Sequence, residues 1–92
     1  VSITHGHLSV PGLYIFWRKR NCIYIGISAN IQKRLLQHYQ NCHNPCLRAW
    51  IESDYSLEFT VFEVSDKAQR HLREIHLIKN YDPCCNDIYA AN

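Results

Sequence analysis

The sequence predicts an α/β (α+β) sandwich, a three-stranded antiparallel sheet flanked by helices in the order ββααβα. Three observations predict it. Residues 11–28 hold two runs of period-two alternation separated by a short basic turn. Residues 31–41, and a longer stretch after Ser65, repeat apolar side chains at helical spacing. Between them, residues 57–64 alternate again. Ninety-two residues make one domain with a modest core and are too few for two. The expected division is a lead-in over 1–10 and a folded domain over 11–92.

Residues 1–10, with His5 and His7, carry no period and read as a flexible lead-in or a short edge strand. Pro11 and Gly12 punctuate the start of strand one. There Leu13, Ile15 and Trp17 alternate with Tyr14, Phe16 and Arg18; in strand two Ile23, Ile25 and Ile27 alternate with Cys22, Tyr24, Gly26 and Ser28. The two all-apolar odd-numbered rows should share the buried face, leaving Tyr14, Tyr24 and Gly26 on the other. Facing residues of an antiparallel pair lie on one side of the sheet, so even must oppose even. That requires an odd-length loop or a bulge, not a plain two-residue turn. A three-residue loop of Lys19, Arg20 and Asn21, with Asn21 left-handed, sets Arg18 opposite Cys22, Phe16 opposite Tyr24 and Tyr14 opposite Gly26. A phenol then stands beside a glycine that leaves open space, as a site would.

Asn30 is the expected N-cap of a helix from Ile31 to about Asn41. Ile31, Arg34, Leu35, His38 and Tyr39 form one arc, with the i, i+4 pair Arg34 and His38 on its border. Asn44 and Pro45 open a second helix whose apolar side is Leu47, Trp50 and Ile51. Strand three sets Leu57, Phe59 and Val61 against Glu58, Thr60 and Phe62. Ser65 or Asp66 caps the longest helix, to about Asn80, with Ala68, Leu72, Ile75 and Ile78 on its buried face. Glu74 falls among Leu77, Ile78 and Tyr81, where a carboxylate needs a partner. That partner is either a ligand or Arg70, one turn earlier. Asp82-Pro83 ends the helix, and the tail to Asn92 should fold back and bring Asn86 near.

The net charge of +2 is unremarkable, and no apolar run is long enough to span a membrane. No secretory signal stands at the N-terminus. The start at Val1 reads as a processed form, a trimmed chain or a piece of something longer. Arg18, Lys19, Arg20, Lys33 and Arg34 form either a phosphate-binding patch or a solvated turn and helix face. Five cysteines leave one over; Cys42-His43 with Cys46 is a zinc half-site lacking a second half, and adjacent Cys84 and Cys85 do not supply one. Such a count suits reduced thiols in an intracellular compartment. There is no repeat, Gly-rich dinucleotide motif, Walker loop or Ser/His/Asp arrangement.

Gly12-Leu13-Tyr14, Tyr24-Ile25-Gly26, Arg34 ten residues later and His38 four beyond that resemble the GIY-YIG nuclease family. Leu13 replaces isoleucine in the first motif. Glu74 and the Pro83-Cys84-Cys85-Asn86 segment resemble the family's metal-binding glutamate and closing P-x-x-N, so the likeness runs over about residues 11–86. It implies a metal-dependent DNA endonuclease with Mg²⁺ (or Mn²⁺) at Glu74. One carboxylate suffices for one such ion when phosphate and water fill the other positions. It further implies that Arg34 clamps the phosphate, that Tyr14 or Tyr24 takes a proton from water with His38 assisting, and that Asn86 orients the site. His43 is the counterpart of a linker histidine in some homing-type members or else a surface residue. Gly26, Ser28, Lys33, Arg18 and Arg20 are the expected substrate-binding positions. The partners implied are DNA and no membrane. Family members usually take target choice from attached domains, so an attached specificity domain or partner protein is expected. The implied location is intracellular: cytoplasm, nucleoid or nucleus. The alternatives are a DNA-binding module of the same fold without turnover and a zinc-stabilised interaction domain. Oligomeric state, and a role in repair, restriction, intron mobility or junction processing, stay open at this level.

Overall fold

A computed structural model of the chain describes residues 8–53 and 57–86. His5, His7 and the tail beyond Asn86 lie outside the described residues. Within them the elements are β1 (Gly12–Arg18), β2 (Asn21–Ser28), α1 (Ile31–Asn41), α2 (Pro45–Glu52), β3 (Glu58–Glu63) and α3 (Lys67–Tyr81), the expected ββααβα order. The sheet runs β2-β1-β3, antiparallel throughout, so β1 is central.

The middle of the hairpin pairs as expected, Tyr14 with Gly26 and Phe16 with Tyr24. The turn end does not. Trp17 faces Cys22 and Arg18 faces Asn21, leaving a two-residue loop and one extra residue, Ile23, on β2. The parity requirement is therefore met by a bulge. The left-handed residue is Lys19, at φ 57°, not Asn21. A bulge turns the residues beyond it to the other face. Cys22 accordingly packs with Ile15 and Ile25, while Ile23 joins Tyr14 and Phe16.

Both sheet faces are covered, which corrects the expectation of one buried odd-numbered face. The larger core lies on the even side, where Tyr14, Phe16 and Ile23 meet Ile31 and Leu35 of α1 and Leu47 of α2. The smaller one holds Ile15 and Ile25 against Ile78 of α3. The even row misled because its members are aromatic: large apolar bodies that pack as well as aliphatics do. Each fully buried aliphatic side chain is worth roughly 1.5–3 kcal/mol.

Side-chain caps start all three helices. Asn30 accepts from Lys33 N–H at 3.1 Å, Asn44 from Leu47 N–H at 3.1 Å with Pro45 at the first position, and Asp66 from Gln69 N–H at 3.1 Å. Asp82, left-handed at φ 47°, ends α3 before Pro83. The buried stripe of α3 is rotated from the expected one: Ala68 is exposed, and Leu72 is 61% exposed. Arg70 takes the inward position, donating to the carbonyls of Val64 (3.1 Å) and Ser65 (2.9 Å). That polar anchor swings Leu72 outward and leaves Glu74 and Ile78 on the inward stripe, one and two turns further on.

After α3 the chain returns along the outer side of β2. Cys85 N–H donates to Ile23 O at 2.9 Å, and the Asn86 side chain both accepts from Ile25 N–H (2.9 Å) and donates to Ile25 O (2.8 Å). Asn44 donates to Cys85 O at 2.8 Å, and a Cys46–Cys85 disulfide ties the tail to α2. The expectation that all thiols are reduced is thus corrected. Free thiols remain at Cys22, Cys42 and Cys84. No helix among the described residues is long and apolar enough to cross a membrane.

Candidate functional site

The site is built outward from Tyr14. Central in β1, it is fully buried, and its ring lies across Gly26, where a Cβ would collide with the ring carbons and hydroxyl. Gly26 therefore makes room that the phenol occupies, and the open space expected there is filled. Tyr14 Oη sits 2.8 Å from His38 Nε2, and His38 Nδ1 lies 3.6 Å from Cys42 Sγ. His38 is itself buried, not on the rim where its helical position suggested. The Tyr14, Tyr24 and His38 rings pack against one another at tilted and edge-to-face angles, with centroids 5.5–6.2 Å apart.

Burial governs the charges here. It pushes both phenols above their ordinary range; Arg34 pulls them down without overcoming it. Burial, helped by the Arg34 charge, lowers His38 to about 4. Tyr14 therefore keeps its proton and His38 is neutral; because the Cys42 thiol donates to Asn44 O at 3.5 Å, its sulfur is left to accept from the imidazole, and Nε2 accepts from the Tyr14 hydroxyl. The Nδ1–H then points to the Cys42 sulfur.

A cavity of about 500 Å³ opens beside this cluster, lined by Tyr14, Tyr24, Arg34, His71, Glu74 and Asn86 among others. Five residues singled out from the sequence meet there: two phenols from neighbouring strands, the α1 guanidinium, the α3 carboxylate and the tail asparagine. A smaller adjoining cavity of about 250 Å³ shares Tyr24 and Arg34 and adds His38 and His43. Arg34 is steadied by a 2.7 Å bond from Nη1 to Gln37.

Glu74 is the one carboxylate among the described residues lining the larger cavity. Its side chain is 12% exposed, and burial raises its pKa while His71 lowers it. Its neighbour is His71, Nδ1 to Oε1 3.6 Å, not Arg70, whose guanidinium is spent on backbone carbonyls. A partly desolvated carboxylate facing the cavity, with the His71 imidazole at 3.6 Å as its one ion-pair neighbour among the described residues, has oxygens left to bind a cation. This donor chemistry fits a divalent cation. His71 was not singled out from the sequence, although its place one turn before Glu74 was a usable signal.

The remaining expected positions are not gathered at the cavity. Gly26 is buried beneath Tyr14, and Ser28 Oγ donates to Asn30 O (2.9 Å) and accepts from Asn30 N–H (3.0 Å) in the turn into α1. Lys33 is exposed on α1. Arg18 and Arg20 lie at the hairpin end, about four residues along the strands from Tyr14, or roughly 13 Å at about 3.3 Å per residue. Arg20 lines a different depression, with Cys22, Trp50 and Asp82. The zinc half-site is not assembled: Cys42 turns to His38, His43 is exposed, and Cys46 is in the disulfide. The Cys46, Cys84 and Cys85 sulfurs do lie within 4.8 Å of one another, but two of them are bonded together.

The sequence model of the family described as GIY-YIG catalytic domain matches residues 10–88. Among curated proteins, the chain is 35% identical over 80 residues to UvrABC system protein C of Aquifex aeolicus (strain VF5). It is 36% identical over 76 residues to the same protein of Hydrogenobaculum sp. (strain Y04AAS1). The alignments cover 86% and 83% of this chain but only 14% and 13% of those relatives. Among solved structures, the GIY-YIG N-terminal endonuclease domain of UvrC from Thermotoga maritima, bound to magnesium as its catalytic divalent cation, superposes with a TM-score of 0.71. It is 29% identical, covering 85% of this chain and 84% of that one. A tyrosine-to-phenylalanine mutant of that domain, also bound to the cation, is 32% identical with a TM-score of 0.64, covering 85% and 83%.

Proposed function

This chain belongs to the GIY-YIG catalytic-domain family, and from that premise we propose that it is an endonuclease domain hydrolysing DNA phosphodiesters with one divalent cation, Mg²⁺ or Mn²⁺, at Glu74. The observation that carries the proposal is the convergence of Tyr14, Tyr24, Arg34, Glu74 and Asn86 on one cavity. A single carboxylate there favours one ion over two. When bound, the ion supplies positive charge to the phosphate and to the departing 3′ oxygen.

The rest falls to the chain's own groups. A phenol whose pKa is raised stays protonated at neutral pH, so Tyr14 can take a proton from water only if it sends its own elsewhere. The 2.8 Å contact to His38 Nε2 supplies that outlet. Water gives its proton to Tyr14 Oη as the Tyr14 proton passes to His38. The resulting hydroxide attacks phosphorus, a new P–O bond forms, and the bond to the 3′ oxygen breaks. The imidazolium then returns its proton to solvent, and the departing 3′ oxygen takes one from solvent, so the protons balance. Tyr24, lining both cavities, positions the water or a phosphate oxygen. Arg34 clamps the non-bridging oxygens with its planar fork. Asn86 spends its amide on Ile25 and so holds the wall of the site. The much greater length of the curated relatives supports target selection by an attached domain or partner protein.

Nicking of supercoiled plasmid by the purified chain in Mg²⁺ or Mn²⁺ tests this. Glu74→Gln and Arg34→Ala should each lower the rate at least about 10²-fold, with far-UV circular dichroism unchanged. Wild-type chain that binds DNA in a salt-sensitive way but never nicks it is instead a recognition module.

A further inference from the structure

We propose that His71 is the second protein ligand of the divalent cation, making a His-x-x-Glu pair on α3 that draws first-row transition ions to the site ahead of Mg²⁺. The proposal rests on Glu74 as the cation's carboxylate ligand. His71 and Glu74 stand three apart on one helix, and both line the same cavity. Their nearest atoms, Nδ1 and Oε1, are 3.6 Å apart, too far for a good hydrogen bond. The gap suits one ion bound at about 2.1 Å to each, which can join atoms up to roughly 4 Å apart. The imidazole is not committed elsewhere in the core: its side chain is 63% exposed while Glu74's is 12% exposed. It can therefore turn toward an ion that the less mobile carboxylate already holds.

The chemical consequence follows from ligand type. Mg²⁺ prefers an all-oxygen shell and keeps its waters, so a nearby nitrogen adds little. Imidazole suits transition ions, whose affinity for a nitrogen-containing site rises from Mn²⁺ to Co²⁺. A free histidine beside the acid therefore separates the two classes of ion. A surface ion pair would leave metal choice untouched and contribute little to stability.

The test is direct metal binding to the purified chain and to His71→Gln and Glu74→Gln, without DNA. Co²⁺ is followed by visible absorption, Mg²⁺ by calorimetry, and Mn²⁺ by electron-spin-echo detection of nitrogen coupling. The expected result is nitrogen coupling in wild type that is lost in His71→Gln. The same variant should bind Co²⁺ at least about tenfold more weakly and Mg²⁺ within about twofold of wild type. An unchanged Co²⁺ affinity with nitrogen coupling retained in His71→Gln overturns the proposal while leaving Glu74 as ligand. Undiminished binding in Glu74→Gln overturns the underlying assignment as well. Thermal midpoints of both variants, expected to match wild type for the exposed His71, separate lost ligation from lost fold.

Discussion

His38 offers the most demanding test of the site's electrostatics. Its ring is packed among Tyr14, Phe16 and Tyr24, it takes the Tyr14 proton, and it meets Cys42 Sγ, with the Arg34 charge nearby. Burial and that charge hold it at about 4, against an ordinary 6.5. Between those values the unfolded chain binds a proton that the folded chain refuses, so stability must fall as the pH falls. The contribution is complete above pH 6.5 and gone below about pH 4, roughly 3 kcal/mol in all at about 1.4 kcal/mol per pH unit. Most of it, about 2 kcal/mol, disappears between pH 7 and pH 5. Glu74, pushed up by burial, works in the opposite direction, because protonating it on acidification relieves a desolvated charge. A comparison with His38→Gln cancels that term. Urea unfolding of both proteins at pH 7 and pH 5 should show wild type losing about 2 kcal/mol more than the variant. Parallel losses would refute the claim that a neutral imidazole is locked into the fold. In nicking assays the same neutrality means that His38 sets no acid limb near its ordinary 6.5, and a limb there that His38→Gln removes would contradict it.

Other outcomes follow from the same contacts. Tyr14→Phe keeps the packed ring but removes the proton route to His38; nicking should fall about 10²–10⁴-fold, with a stability loss near 1 kcal/mol by urea titration. Gly26→Ala forces a methyl into the Tyr14 ring and should cost about 1–3 kcal/mol; an unchanged urea midpoint would show that the ring can yield. Asn86→Ala strips both bonds from Ile25 and should destabilise by about 2 kcal/mol, visible as faster hydrogen exchange at the Ile25 amide. The Cys46–Cys85 bond closes a separation of 39 residues, for which chain entropy gives up to about 4 kcal/mol. Cys46→Ser should lower the thermal midpoint and erase its response to reductant; a midpoint indifferent to both would deny the bond a stabilising role.

Much of this architecture was legible in advance because it rests on local chemistry. Asn30, Asn44 with Pro45, and Asp66 announce helix starts through side-chain acceptors that need no tertiary partner. Parity required even to face even, and the Tyr14–Gly26 and Phe16–Tyr24 pairings came out right because a two-residue loop plus one bulged residue shifts the register by the same amount as the expected three-residue loop. The bulge at Ile23 was harder, since nothing local marks it and lysine is not a residue expected at positive φ, as Lys19 is. Periodicity placed Leu72 inward because it cannot foresee a buried arginine; the carbonyls that hold Arg70 are those of Val64 and Ser65, in the connection between β3 and α3, and apolar spacing carries no sign of that contact. The same assumption, that Arg70 was available to Glu74, concealed His71. Disulfide partners cannot be deduced from spacing alone, and Cys46 and Cys85 lie in separate elements. Five of the predicted site residues nonetheless meet in one cavity, because strand parity and helix phase fixed the directions of four of them and the tail supplied the fifth.

The docking of the tail on β2 bears on solubility as well as on the cavity. With its amide bonded to both polar groups of Ile25, Asn86 stands where one residue of a further strand would pair, and no such strand lies beside β2 among the described residues. A foreign backbone approaching that side finds those groups already taken. The opposite margin, β3, begins with Glu58 and ends with Glu63, and charges on an unpaired strand deter intermolecular addition. Losing Asn86 would therefore reopen a template for self-association, and light scattering on concentrated Asn86→Ala should detect oligomers that wild type does not form.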